Sequence, residues 1–204
     1  MKSCRLLAPV LLFFLLSSFR TGDGNNPFFA FLKQTGLKFV KPLNAVETKV
    51  IQNDELAYQY AIIDTVSKIE IRYLIYPLQE MEKAYNAPHP DTGIGRIDPD
   101  FLHTNFLYIN TYKILGRELN VSEPMPDIRE ISHATVDKQY NADWGAEVSV
   151  EPCDEFAQKY KYCTLFAIHK DNVADAFIIF LYNNKDTFDE WVQPDLHTLV
   201  FTGQ

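Results

Sequence analysis

The sequence predicts an α+β protein, a central antiparallel sheet flanked by helices, on a chain that begins with an export signal. Three observations predict it. Ala57–Asp64 and Ile69–Tyr76 alternate with period two, and Asp64-Thr65-Val66-Ser67-Lys68 supplies turn residues between them, which is a β-hairpin pattern. Lys161–His169 and Ala174–Tyr182 are apolar on both faces, as central strands covered on both sides are, and join through Lys170-Asp171-Asn172-Val173. Between these groups, Phe101, Leu102, Phe106, Ile109, Tyr112, Ile114 and Leu115 recur at helical spacing. Strands that arrive in hairpins, with helices between groups of them, favour an antiparallel sheet over βαβ units.

The elements follow in order. Lys2 and Arg5 precede an apolar run from Leu6 to Leu16, and Ser17-Ser18 follows, the pattern of a secretory signal peptide over residues 1–18. Eleven helical residues rise about 16 Å against a hydrocarbon core of about 30 Å, so the run is too short to span a membrane. Cleavage would leave 186 of the 204 residues and, with Lys2 and Arg5 gone, move the formal charge from −8 to −10. No later stretch approaches a membrane span, so the mature chain is expected outside the cytoplasm, secreted or periplasmic. Residues 19–44 read as an N-terminal extension, with a short helix from Pro27 that ends near Gly36 and a strand at Leu37–Val40; residues 45–204 read as one domain.

In the hairpin, Ile69, Ile71, Tyr73 and Ile75 form the inward set, so Glu70 and Arg72 are expected on a solvated face. Asn86–Asp100 holds Pro88, Pro90, Gly93, Gly95 and Pro99 and reads as a long loop. Asp98-Pro99-Asp100 then starts a helix, with Asp98 as its cap, and Gly116 stops it. Beyond Pro124 and Pro126, strands are expected at Ile131–Lys138 and Trp144–Glu151, ahead of the two central ones. Asp186 is expected to cap a short helix through Phe188 and Trp191 that closes at Pro194, and Leu196–Thr202 to add an edge strand.

This element order, over roughly residues 45–195 and including Tyr140-Asn141-Ala142-Asp143-Trp144-Gly145-Ala146-Glu147, resembles the PsbP-like α/β/α sandwich. The resemblance implies helices on both faces of the sheet and a binding or scaffolding role; it carries over no functional residue.

Charge narrows the partners. With 27 Asp+Glu against 19 Lys+Arg, and the basic residues scattered, the chain offers no patch for a phosphate backbone or an anionic membrane. The partner is expected to be a protein or small molecule. No G-x-S-x-G, H-E-x-x-H, P-loop or EF-hand pattern is present, so no cofactor and no metal are expected.

The candidate ligand- or partner-binding residues are His89, Asp91, Arg96, Asp98, Asp100 and His103, carboxylates and imidazoles converging on a helix entrance, and, separately, Trp144. Helix capping and an exposed first turn account for the same residues in structural terms. An aromatic platform of Tyr140, Tyr160, Tyr162, Trp144, Phe28 and Phe29 is the other candidate. His169 beside Asp171 admits an acid–base pair, though a strand-end histidine bonded to turn backbone is the expectation. Once Cys4 is removed with the signal, Cys153 and Cys163 admit equally a disulfide and two buried thiols. Asn120-Val121-Ser122 is a glycosylation sequon. The expected function is an exported, non-enzymatic binding protein; the alternative is an extracytoplasmic metal-dependent enzyme or hydrolase using the 86–103 acids and histidines.

Overall fold

The computed structural model describes residues 26–52, 54–88, 96–118, 126–191 and 198–203. The signal segment, His89, Asp91 and the sequon lie outside the described residues.

In chain order the elements are α1 (Pro27–Thr35), β1 (Leu37–Phe39), β2 (Ala45–Glu47), β3 (Tyr60–Asp64), β4 (Glu70–Pro77), α2 (Gln79–Asn86), a 3-10 turn (Pro99–Phe101), α3 (His103–Ile114), β5 (Ile128–Glu130), α4 (His133–Tyr140), β6 (Trp144–Val150), α5 (Asp154–Ala157), β7 (Tyr162–Lys170), β8 (Ala174–Tyr182), α6 (Lys185–Trp191) and β9 (Leu199–Phe201). Seven strands form one sheet in the order β2-β3-β4-β8-β7-β6-β5, every neighbouring pair antiparallel. β8, buried at all nine positions, lies at the centre, where a strand apolar on both faces belongs. The tight β3–β4 connection is held by Asp64, whose Oδ1 accepts the backbone N–H groups of Val66 (2.9 Å) and Ser67 (2.7 Å).

Each face of the sheet has its own core. On one, Phe28 of α1, Val136 of α4, Phe188 of α6 and Leu199 and Phe201 of β9 pack on Tyr60, Ile71, Tyr73 and Ile178. On the other, Leu107 and Ile114 of α3, Phe156 and Ala157 of α5, and Leu56 and Tyr58 pack on Leu74, Leu165, Phe177 and Ile179. This is the α+β layering that the sequence predicts. Gly145 lets α4 approach the sheet closely: a Cβ there would lie 3.0 Å from Val136 Cγ2 and 3.1 Å from the Ala167 carbonyl oxygen.

Residues 26–44 share the first core. Asn26 Oδ1 accepts the Phe28 N–H (3.0 Å) to open α1, and Gly36 at φ 65° closes it. Phe28 is fully buried and stacks on Tyr60, ring centroids 4.6 Å apart. β1 pairs with β9, Leu37 opposite Phe201, so a two-stranded sheet ties the two ends of the described chain together. The strand expected at Leu196–Thr202 therefore does not extend the main sheet.

Other expectations are corrected. Ile131–Lys138 is no strand: Ser132 Oγ accepts the Thr135 N–H (3.3 Å) and opens α4, which Asn141 closes in the left-handed region at φ 50°, and the neighbouring strand β5 ends before it. α2, unanticipated, follows directly on β4. Asp98 caps only the 3-10 turn, and α3 begins anew at His103, leaving Phe101 exposed. Asn184, not Asp186, caps α6, its Oδ1 accepting the Thr187 N–H (3.1 Å). Cys153 and Cys163 are free thiols. Cys163 is completely buried beneath the second core, where burial pushes its thiol far above the usual range, while Cys153 is half-buried.

The largest correction concerns Glu70 and Arg72. Both are buried, because β4 runs inside the sheet and α5 covers that face. Arg72 Nε donates to Glu70 Oε1 (2.7 Å), Nη1 donates to the Phe156 carbonyl (2.7 Å), and the guanidinium lies between the rings of Tyr58 and Phe156, 4.7 and 4.6 Å from their centroids.

Candidate functional site

The sheet register places one row of side chains across four adjacent strands. Tyr76 of β4 lies opposite Asp175 of β8, Asp175 opposite His169 of β7, and His169 opposite Trp144 of β6. All four belong to the face covered by α3, because residues at this spacing share one side of the pleat. The row stands at the end of the sheet where β7 turns into β8, and Asn172 makes that turn in the left-handed region at φ 61°.

Residues from the 3-10 turn and the start of α3 close over it. His103 stacks on His169, centroids 4.4 Å apart and planes at 30°, and its ring also meets Trp144, centroids 4.5 Å apart. His103 Nδ1 lies 2.6 Å from the Asp100 carbonyl oxygen, which only accepts, so that nitrogen carries the proton. Asp100 Oδ1 accepts the Asn172 N–H (2.7 Å), and Asp143 Oδ2 accepts the Asp171 N–H (2.9 Å). Two backbone-to-carboxylate bonds thus fix the β7–β8 turn to the α3 entrance and to β6.

His169, 1% exposed, is the centre of the site. Its Nδ1 lies 2.8 Å from Asp175 Oδ1, its Nε2 3.0 Å from Asp171 Oδ1, and Asp100 Oδ1 stands 3.9 Å from Nε2. A neutral imidazole donates from one nitrogen only, so two carboxylate partners call for the imidazolium. Burial alone would lower its proton affinity; the hydrogen bonds and charges of Asp175 and Asp171 outweigh it and hold His169 above the ordinary histidine value. Asp175 is also 1% exposed, and its Oδ2 has no hydrogen-bond partner among the described residues. Next to it, the Tyr76 hydroxyl donates to Asn110 Oδ1 (3.3 Å), and burial pushes that phenol up to about 12.

The sequence-derived candidates separate. Asp100, His103 and Trp144 come together on His169. Asp98 caps the 3-10 turn by accepting the Asp100 N–H (3.0 Å) and stands with Glu82 and Asp100 in a second carboxylate group. Arg96 is exposed and donates to the backbone carbonyls of Tyr85 and Ala87, so it fastens the end of α2 and stays out of the cluster. The aromatic platform is not assembled: Phe28 belongs to the first core, Tyr160 to the second, and Tyr162 packs on Tyr182. A groove of about 230 Å³ on the opposite face is lined by Ser149, Thr164, Phe166, Tyr182 and Phe188. Its hydroxyls bond one another, Ser149 to Thr164 at 2.9 Å and Thr164 to Tyr182 at 3.1 Å.

Sequence reasoning missed Asp175, and it favoured a backbone partner for His169. The available signal was a lone acid in an otherwise apolar central strand, two residues beyond the predicted turn. No helix among the described residues is long and apolar enough to cross a membrane. The chain matches no protein-family model and no curated protein sequence. The site therefore stands on its own chemistry: carboxylates gathered around a histidine and roofed by two aromatic rings, an arrangement able to hold a cation.

Proposed function

We propose that the protein is an exported, non-enzymatic binding protein that takes a cationic ligand at the Asp100–His103–Trp144–His169–Asp171 end of its sheet. One observation carries this: both ring nitrogens of His169 are engaged by carboxylates while His103 covers the ring. A general acid or base needs a nitrogen turned toward its reactant. No hydroxyl or thiol among the described residues hydrogen-bonds to His169 to serve as a nucleophile. The acidic balance of the chain and the exposed Asp171 carboxylate both favour a positively charged partner.

The test is a thermal-shift and turnover panel on the purified chain: divalent metals, polyamines and basic peptides on one side, ester, phosphodiester and glycoside substrates on the other. A cation that raises the midpoint without turnover is expected. Turnover lost in His169→Gln would establish the hydrolase instead. Export is tested separately by expressing the full chain in a secreting host and sequencing the N-terminus of the released protein, which is expected to begin shortly after Ser18.

A further inference from the structure

We infer that the ligand is a divalent first-row transition ion, zinc in the first instance, held by His169 Nε2, Asp171 Oδ1 and Asp100 Oδ1; this deepens the binding role proposed above. The three ligand atoms all lie within 4.8 Å of one another. Metal–ligand bonds of about 2.0–2.1 Å in a tetrahedral shell put neighbouring ligand atoms about 3.3 Å apart. The separations from Nε2, 3.0 Å to Asp171 and 3.9 Å to Asp100, bracket that spacing.

A second shell is already built. Asp175 bonds the Nδ1 side of His169 at 2.8 Å and so aims Nε2 at the two outer carboxylates, the carboxylate–histidine–metal arrangement that orients and strengthens an imidazole ligand. Asp100 and Asp171 are pre-set by their ties to Asn172 and Asp143.

The charge balance points the same way independently. Three carboxylates converge on one imidazole, and the most deeply buried of them, Asp175, leaves Oδ2 without a hydrogen-bond partner among the described residues. A buried carboxylate oxygen left unpaired is costly, and a dication one residue away offsets it. On binding, the ion takes the Nε2 lone pair, the Nε2 proton leaves to solvent, and Asp171 passes from hydrogen-bond acceptor to ligand. One imidazole among oxygen donors selects zinc-like ions over magnesium or calcium.

The experiment is equilibrium dialysis of the untagged chain against zinc, manganese and magnesium chlorides, with tryptophan fluorescence followed in parallel. Trp144 touches His103, which stacks on His169, so occupancy is expected to change its emission. One zinc per chain is expected, with affinity at least about tenfold above magnesium and falling about 100-fold in His169→Gln and in Asp171→Asn. Asp171 is exposed, so its variant keeps the test valid if the buried one fails to fold. Zinc bound equally well by a folded Asp171→Asn, or no stoichiometric zinc at all, overturns the inference. If polyamines or basic peptides bind where zinc does not, the metal assignment fails and the binding role stands; substrate turnover removes the binding role itself.

Discussion

Two charged groups lie on the same face of the central strands, and the fold completes only one of them. In the middle of the sheet, Arg72 has a carboxylate, a backbone carbonyl and two aromatic faces around it, and both Arg72 and Glu70 are sealed from water. At the end of the sheet, His169 is as deeply buried, yet its cluster opens through Asp171, 62% exposed, and contains an unpaired carboxylate oxygen. Burial is common to both. What differs is where the charge lies: a cation and a carboxylate paired inside the core hold structure, whereas a surplus of carboxylate at an opening is poised for a ligand.

The sharpest way to break this contrast is Arg72→Met. It strands Glu70 in the core, and removing one partner of a buried pair costs about 3–5 kcal/mol. Urea denaturation is expected to show that loss, and Glu70→Gln combined with Arg72→Met to recover most of it. A loss under about 1 kcal/mol in the single variant would show that the pair is hydrated rather than sealed.

Thiol labelling probes the same seal. Cys163 lies in the core beside Arg72, completely buried and with its thiol pushed far above the usual range, so it is expected to resist modification until the chain unfolds. Cys153 is half-buried, and burial, against which the Phe156 backbone works, raises its thiol as well. In native protein Cys153 is expected to label at least about tenfold faster than Cys163, with both thiols reactive in denaturant. Equal native rates would show that the core opens, and no reactive thiols in denaturant would show a disulfide after all.

Asp175→Asn tests the open site. The amide keeps an acceptor for His169 but removes the charge that pairs with its imidazolium, so stability is expected to fall by about 1–3 kcal/mol. Zinc affinity is expected to fall about 10–100-fold, the effect of losing the carboxylate that bonds and orients the imidazole ligand. A large stability loss with unchanged affinity would make Asp175 a structural partner like Glu70.

The two regions also differ in how legible they were. Period two and the Lys170–Val173 turn located β4, β7 and β8 correctly, because those patterns encode which side chains alternate and where the chain reverses. They do not encode which strands become neighbours. Glu70 and Arg72 alternate with isoleucines and so look solvated; only the insertion of β4 between β3 and β8, under α5, buries them. For the open site, Asp100 and His103 were visible as chemistry at a helix entrance and Trp144 as a separate candidate on its strand, while His169 with Asp171 was read only as the less favoured acid–base pair. His169 meets Asp175 through strand pairing, and meets Asp100 through the docking of the 3-10 turn, 72 residues before Asn172. Helix α4 was missed for a local reason: Ala134-Thr135-Val136-Asp137 imitates alternation, while the cap at Ser132 and the left-handed stop at Asn141 decide the matter.

The smallest expected effect separates the regions most cleanly. Asp171 contributes an exposed carboxylate to His169, and exposed charge pairs are worth little because water already solvates them. Asp171→Asn is therefore expected to shift the unfolding free energy by no more than about 0.5 kcal/mol, while Arg72→Met costs several times that. If Asp171 is held in place for a ligand, the near-neutral change in stability will accompany a large loss of cation affinity. A residue whose side chain only braced the β7–β8 turn would show the reverse, a stability loss without a loss of affinity. The Asp143 contact does not confound the comparison, because it runs through the backbone N–H and survives the substitution. Measuring both quantities on the one variant distinguishes a side chain kept for its ligand from one kept for the fold.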